Sequence, residues 1–406
     1  MGPLKLLIFQ ATPFCNLACT YCYLPDKSVR KRMPMEVIEK TLERLRETNI
    51  IGKEFSVVWH AGEPLAAGLE FYRKAAATIK AGVPEGVRVK HCFQTNGTLI
   101  NDAWCDLFKE MENVSMGVSI DGPAFLHDKY RLNKQGRPTL QKVVEGIECL
   151  KKNGIPFHTI SVVTKDAIDK PTEIFRFLHE LGADSVAFNI EEVEGVNADS
   201  TIAQVREQEV GGFLKRIHEM SFAIGKPNYV REFRQSHMAV AGTMQKRRNQ
   251  LTMETNPLSI ITIDINGDFT SFSPELLSMK HERFGDFVIG NMLKDKMIDA
   301  VKSKKFFEMT REITAGVKRC AAECDYFHFC GGGSPSNKLF ENGSFDSAET
   351  MHCSMTKKLV VDITLDRLEG MVREHMPEDS KELLGMMVGQ PLRAEDEVLT
   401  TTGARA

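Results

Sequence analysis

Cys15, Cys19 and Cys22 stand in the string Cys-Asn-Leu-Ala-Cys-Thr-Tyr-Cys, directly after an apolar run over residues 4–9. Three thiolates at a C-x3-C-x2-C spacing on one short loop can hold three irons of a cubane [4Fe–4S] cluster. The fourth iron then has no protein ligand and is open to a small molecule. Packing as small hydrophobes is the other use of cysteine, and it requires no such spacing. A second group lies far along the chain, Cys320-x3-Cys324-x5-Cys330 followed by Cys353. Four thiolates without a histidine suit either Zn(II) or a fully ligated [4Fe–4S] cluster. Glycines 331–333 follow Cys330 and let backbone N–H groups approach the sulfurs. Cys92, Cys105 and Cys149 are isolated on strand or helix positions and read as core cysteines.

The elements that position these groups alternate. Apolar, β-branched runs recur at 6–9, 55–59, 87–93, 114–120, 157–163 and 185–190. Between them, 35–46, 103–111 and 140–150 carry apolar residues at helical spacing. Pro34, Pro138 and Pro171 stand where helix N-termini start. Six strands alternating with helices predict a parallel sheet with right-handed crossovers. Chemistry then belongs at the C-terminal strand ends, and the first cysteine loop follows the first strand. Residues 201–256 read as a polar helical connector without obvious chemistry. A β-hairpin with an Asn266-Gly267-Asp268 turn is predicted over 259–272. The polar tail after about 378 is expected to be disordered.

Composition agrees with a soluble enzyme. At 406 residues the chain can bury one large core plus a smaller domain. Apolar content of 42% and charged content of 26% are ordinary for a globular protein, and a net charge of −3 argues against nucleic acid as a partner. No apolar run is long enough to span a bilayer, and the first residues lack a signal-peptide shape. Seven of the ten cysteines fall in the two ligand-spaced groups, so they are read as reduced thiols of a cytoplasmic protein rather than a disulfide framework.

The first cysteine loop and its neighbours resemble the radical S-adenosylmethionine (radical SAM) superfamily. There the open iron chelates S-adenosylmethionine, and an electron from the cluster cleaves it to a 5′-deoxyadenosyl radical. The resemblance implies a partial (β/α)6 TIM-type barrel. Trp59-His60-Ala61-Gly62-Glu63-Pro64 ends the second strand where the family has Gly-Gly-Glu, with Ala61 in place of the first glycine. By that resemblance Gly62 lets the backbone approach the cofactor and Glu63 takes its ammonium. Ser119-Ile120-Asp121-Gly122-Pro123 and His127-Asp128-Lys129-Tyr130-Arg131 are similar to segments of peptide-modifying members. They imply Ser119 at the ribose, Arg131 at the carboxylate or ribose side, and Tyr21 at the adenine through its backbone. Gln94, Thr95 and Asn96 end the third strand as contacts or loop caps.

The C-terminal part resembles the SPASM domain of peptide-maturing radical SAM enzymes, which in full carries seven cysteines and two auxiliary clusters. Here Ser259, Ser271, Phe272, Ser273 and Ser334 stand where that pattern expects the ligands of one of them. The four remaining cysteines imply one auxiliary [4Fe–4S] cluster. The base used by sulfatase-maturing members falls on Ser273 or Pro274 and does not carry over; Glu275 is the nearby candidate. The strings Phe272-Ser-Pro-Glu-Leu-Leu277, Cys330-Gly-Gly-Gly-Ser-Pro-Ser-Asn-Lys338 and Glu341-Asn-Gly343 look like maturases of glycine-rich-repeat peptides and the related cyclophane-forming enzymes.

The chain is therefore expected to be an α/β protein. A partial barrel (1–200) is followed by a helical connector (201–256), a small α+β cysteine-rich SPASM-like domain (257–365), and a C-terminal helix with flexible tail (366–406). The resemblance implies a radical SAM oxidoreductase that crosslinks a ribosomally made precursor peptide through a carbon–carbon bond of cyclophane type. A reducing protein such as flavodoxin or ferredoxin would supply electrons. No domain is expected ahead of the barrel, so a leader peptide is expected to use other surface or a partner. A radical SAM enzyme acting on an amino-acid derivative or sugar is the first alternative. A non-catalytic metal-binding scaffold is the second.

Overall fold

The computed structural model describes residues 3–25, 27–244, 252–277 and 279–375. Strands β1 (Leu6–Phe9), β2 (Glu54–Trp59), β3 (Arg88–Thr95), β4 (Val114–Ser119), β5 (Phe157–Val163) and β6 (Ser185–Ile190) pair in parallel in sequence order. Helices α1 (Met35–Glu47), α2 (Leu69–Gly82), α3 (Asp102–Glu110), α4 (Ala124–Tyr130), α5 (Leu140–Lys152) and α6 (Pro171–Glu180) fill the crossovers. This is the α/β partial barrel that the alternating pattern and the family resemblance imply.

Local sequence explains the elements. On α1, Val37, Ile38, Leu42 and Leu45 share the buried face, and Pro34 holds an extended backbone just ahead of it. Asn101 starts α3 by accepting the Trp104 N–H at 3.1 Å. Along β5, Phe157, Thr159, Ser161 and Val163 are buried on alternate positions. The core beneath the second strand end is aromatic. Trp59 is fully buried, with ring centroids of Phe9 at 5.4 Å, Tyr72 at 5.1 Å and Phe71 at 6.0 Å.

The chain continues through α7 (Glu207–Ala223) and α8 (Arg231–Met244) to the predicted hairpin, β7 (Ile260–Ile263) and β8 (Asp268–Ser271). The hairpin turn is held by Asp264, whose carboxylate accepts the N–H groups of Asn266 and Asp268. β7 pairs in parallel with β1, Phe9 opposite Ile263. A short hairpin, β9 (Lys280–His281) and β10 (Gly285–Asp286), precedes β11 (Gly290–Asn291), which joins β8. One sheet therefore runs β11-β8-β7-β1-β2-β3-β4-β5-β6. The boundary expected at 257 falls inside this sheet, because the main-chain groups of β1 have a free edge only on that side.

Six further helices complete the described chain. They are α9 (Met297–Val301), α10 (Lys304–Glu323), α11 (Phe327–Cys330), α12 (Pro335–Asn342), α13 (Met351–Cys353) and, after a π-helical turn at Ser354–Lys358, α14 (Leu359–His375). α14 spans the boundary expected at 365 and packs on α7 and α8. The polar tail after 378 lies outside the described residues. Among those, no helix is long and apolar enough to cross a membrane.

Because Trp59 fills the core directly ahead of His60–Glu63, Trp59→Ala is expected to lower stability by about 3–5 kcal/mol. Denaturant unfolding of anaerobically purified protein measures it. A loss below about 1 kcal/mol would mean that this cluster does not anchor the strand end.

Candidate active site

The cysteine loop after β1 is fastened to the barrel mouth by its backbone. Ala18 N–H donates to Leu132 O at 2.8 Å and Thr20 N–H to Tyr130 O at 3.0 Å, while Leu17 bridges Asn133. Its side chains add a second hold. Tyr21 Oη donates to Asp121, and the Arg131 guanidinium lies 5.4 Å from the Tyr21 ring centroid. Asp121 and Arg131 form a buried bidentate pair at 2.9 and 3.0 Å. On the opposite side Gly62 packs against the loop. A Cβ there would sit 2.4 Å from Thr12 O and 2.7 Å from Phe14 O. Gly62 has φ +61°, and the preceding Ala61 also lies in the left-handed region, at φ +71°.

These constraints shape one cavity of about 710 Å³. Cys15, Cys19, Cys22, Tyr21, Gly62, Ser119 and Arg131 line it, with Gln94 and Asn96. Gln94 Nε2 donates to Ser119 Oγ at 2.9 Å. Cys330, Cys353, Gly333 and Ser334 line the same cavity. Burial pushes the Cys15 thiol up to about 12 and raises Cys19. Such thiols stay neutral until a metal takes the place of the proton. Among the described residues no three His, Cys, Asp or Glu side chains converge closely enough to hold a single metal ion.

Glu63 is placed differently from the other predicted cofactor residues. It is 1% exposed, does not line the cavity, and accepts from Leu65 N–H at 3.0 Å, Thr95 Oγ1 at 2.7 Å and Asn96 N–H at 2.8 Å. Thr95 is thus spent on Glu63 rather than on a ligand. Burial pushes Glu63 up to about 7 against these three donors. Among the described residues no cation pairs with it, so this carboxylate is short of one positive charge, which an ammonium would supply.

The second cysteine group forms where α10, α11 and α13 end. Cys320 is buried in the last turn of α10, Cys324 follows that helix, Cys330 ends α11 and Cys353 ends α13. Burial raises Cys330, while nearby Lys357 and the N–H groups of Gly332 and Gly333 draw it back. Those N–H groups require the left-handed backbone of residues 331–333. Thr350 N–H points at Cys353 Sγ at 3.3 Å. All ten cysteines are free, and of the three outside the two groups Cys105 and Cys149 face each other at 3.7 Å.

Two of the serines in place of cysteine, Ser273 and Ser334, are each hydrogen-bonded to Ser336. Ser273 Oγ donates to Glu254 at 3.2 Å and accepts the Ser336 N–H at 3.3 Å, and Ser334 and Ser336 stand 3.0 Å apart.

Several cavity residues had no role in the sequence reading. His60 Nε2 lies 3.1 Å from Tyr23 Oη, and burial holds the imidazole down near 4, so it is neutral. Glu192, Glu194 and Glu254 join Glu275 in the lining of the cavity. Glu192 is paired with His352 at 3.1 Å and with Asn337 at 2.6 Å. Burial, then Glu254, pushes Glu275 up to about 8. His60 and 191–194 follow β2 and β6, so the rule that chemistry collects at C-terminal strand ends pointed to both. Glu254, together with Arg231 and Ser236 on α8, comes from the stretch expected to be a connector without chemistry. α8 packs on β6, which carries that stretch to the cavity.

Comparison with known proteins adds to this geometry. The model of the radical SAM superfamily matches residues 9–178. An uncharacterised protein of Synechocystis sp. is 41% identical over 374 residues, covering 91% of this chain and 93% of its own. The serine-type anaerobic sulfatase-maturating enzyme of Bacteroides thetaiotaomicron is 29% identical over 83% of this chain and 84% of its own. The solved structure of native anSMEcpe with bound AdoMet and Cp18Cys peptide superposes with a TM-score of 0.72 at 23% identity, covering 92% of this chain and all of that one. At that identity the likeness is one of fold.

Two outcomes test the site. Ala61→Gly is expected to stabilise the protein by about 1 kcal/mol, because only glycine adopts this backbone without a steric penalty; an unchanged denaturation midpoint would count against the strained turn. The folded chain keeps a proton on Glu275 that the unfolded chain releases between pH 4.5 and about 8. This group therefore makes stability fall as pH rises through that window. Glu275→Gln is expected to flatten the fall, read from guanidinium midpoints at pH 5, 6.5 and 8.

Proposed function

The chain belongs to the radical SAM superfamily, and from that premise we propose that it oxidatively crosslinks a ribosomally made peptide, with an auxiliary cluster taking up the second electron. The observation that carries this reading is the cavity whose lining Cys15, Cys19 and Cys22 share with Cys330 and Cys353. A [4Fe–4S] cluster held at Cys15, Cys19 and Cys22 supplies, with S-adenosylmethionine, a one-electron cleavage that generates a hydrogen-abstracting radical.

The protein's residues bind, orient and manage protons around that chemistry. Gly62, which lines the cavity, would bring its backbone to the ammonium of the cofactor, with Glu63 buried behind it on three donors and one acceptor position open. Arg131, fixed by Asp121, presents its guanidinium edge toward the carboxylate or ribose, and Ser119 with Gln94 toward the ribose hydroxyls. Tyr21 serves the adenine through its backbone. Cys320, Cys324, Cys330 and Cys353 hold the auxiliary cluster. Closing a carbon–carbon bond removes two hydrogens from the peptide. One leaves as an atom; the other leaves as a proton and an electron. Glu275 lines the same cavity; raised to about 8 it keeps its proton at neutral pH, and the ionised fraction that grows as pH approaches 8 is the form that receives the substrate proton. A reducing protein such as flavodoxin or ferredoxin supplies the first electron, in the cytoplasm.

A free small molecule, such as an amino-acid derivative or sugar, is the second reading. It is favoured by the cavity's volume of about 710 Å³, which lies in the usual range of small-ligand pockets.

Co-expression with a precursor peptide encoded beside this gene, followed by high-resolution mass spectrometry, tests the proposal. The expected product is lighter by about two mass units per crosslink, located by fragmentation. Cys15→Ala, Cys19→Ala and Cys22→Ala are each expected to abolish both the product and 5′-deoxyadenosine. Unchanged mass with solvent deuterium at Cα would replace crosslinking by epimerisation. Turnover of a free metabolite with no peptide change would establish the second reading.

A further inference from the structure

Lys338, on α12, is an ammonium buried without a carboxylate. The residue is 3% exposed, and its Nζ donates to Gly316 O at 3.0 Å and lies 3.2 Å from Cys320 Sγ. Gly316 on α10 makes the room, since a Cβ there would stand 2.1 Å from Phe345 O and 3.2 Å from this Nζ. Removing an ammonium from water costs several kcal/mol unless a negative charge answers it. A carbonyl and a neutral thiol do not. Among the described residues no ion pair with Asp or Glu involves Lys338, so the answering charge has to come from Cys320 as thiolate and from what it ligates.

Two other lysines stand near the same group. Lys357 acts on Cys330, and Lys358 on Cys324 and Cys353. Lys357 is exposed, and Lys358 is bonded to Glu349 at 2.7 Å. Solvent and the carboxylate screen both, whereas Lys338 is buried against Cys320.

We propose that Lys338 is a positioning residue for the auxiliary cluster: its N–H···S contact to Cys320 favours the more negative, one-electron-reduced state and raises the reduction potential. The inference rests on the reading that the four cysteines hold a [4Fe–4S] cluster. It deepens that reading by giving a reason for this centre to accept an electron from substrate rather than to serve structure alone. A fixed positive charge at a ligand sulfur stabilises whichever redox state carries the extra electron, and in a buried site little solvent screens it.

The test uses the full chain reconstituted under anaerobic conditions. Iron and zinc are counted first. EPR-monitored redox titration is then run on wild type, Lys338→Met, Lys338→Gln and Lys338→Arg. The expected result is about eight irons per chain, following four per cubane. The auxiliary midpoint moves to more negative potential in K338M, moves less in K338Q, and stays close to wild type in K338R. The midpoint of the Cys15–Cys19–Cys22 cluster is unchanged throughout. In wild type, electron–nuclear double resonance of the reduced auxiliary cluster is expected to show an exchangeable proton that disappears in D2O and is absent from K338M. Intact iron with an unmoved auxiliary midpoint would overturn the role of Lys338 alone. If K338M and K338Q lose the cluster or fail to fold, absence of the exchangeable proton in wild type overturns it. About four irons with stoichiometric zinc in wild type would overturn the cluster reading, and with it the inference.

Discussion

Asp121 is the point at which the barrel and its cysteine loop are tied together. Its two oxygens take four donors: Arg131 Nε and Nη2, Tyr21 Oη and the Val162 N–H. These come from the residue after α4, from the loop after β1 and from β5. At 1% exposure a carboxylate is tolerable only if paired and fully hydrogen-bonded, and this one is. Arg131 therefore meets a ligand only with the part of its guanidinium that Asp121 leaves open. It is held by Asp121, and its position fixes Tyr21, which in turn fixes the chain between Cys19 and Cys22. The geometry of three ligands is set by an ion pair that is not itself among them.

Much of the fold was legible in the sequence. The strands at 6–9, 157–163 and 185–190 coincide with β1, β5 and β6, because each run is apolar and β-branched and is bounded by turn residues. The hairpin was also legible, since Asp264-x-Asn-Gly-Asp is a turn whose side chain bonds its own backbone. Its partner was not. That β7 would lie beside β1 depends on contacts more than 250 residues apart in the chain, for which local periodicity carries no signal. The site divides in the same way. Ser119, Gly62 and both cysteine groups follow from short motifs. The Tyr23–His60 contact, and the arrival of Glu254 beside Glu275, depend on how the stretch after β6 folds back over the barrel mouth.

Ser273 and Ser334, with their neighbour Ser336, show how the chain fills the place for which the SPASM pattern expects a second set of ligands. A buried hydroxyl needs partners, and these find them in one another, in backbone N–H groups and in Glu254. Such a network holds the strand end after β8 against α12 with ordinary hydrogen bonds. Glu192, answered by His352 and Asn337, performs the same task closer to Cys353.

The position of β1 bears on how the protein is made. The first strand to leave the ribosome sits inside the sheet, with β2 on one side and β7 on the other. Its second edge stays open until residues 260–263 have been synthesised, and the helices that bring Cys330 and Cys353 to the cavity emerge later still.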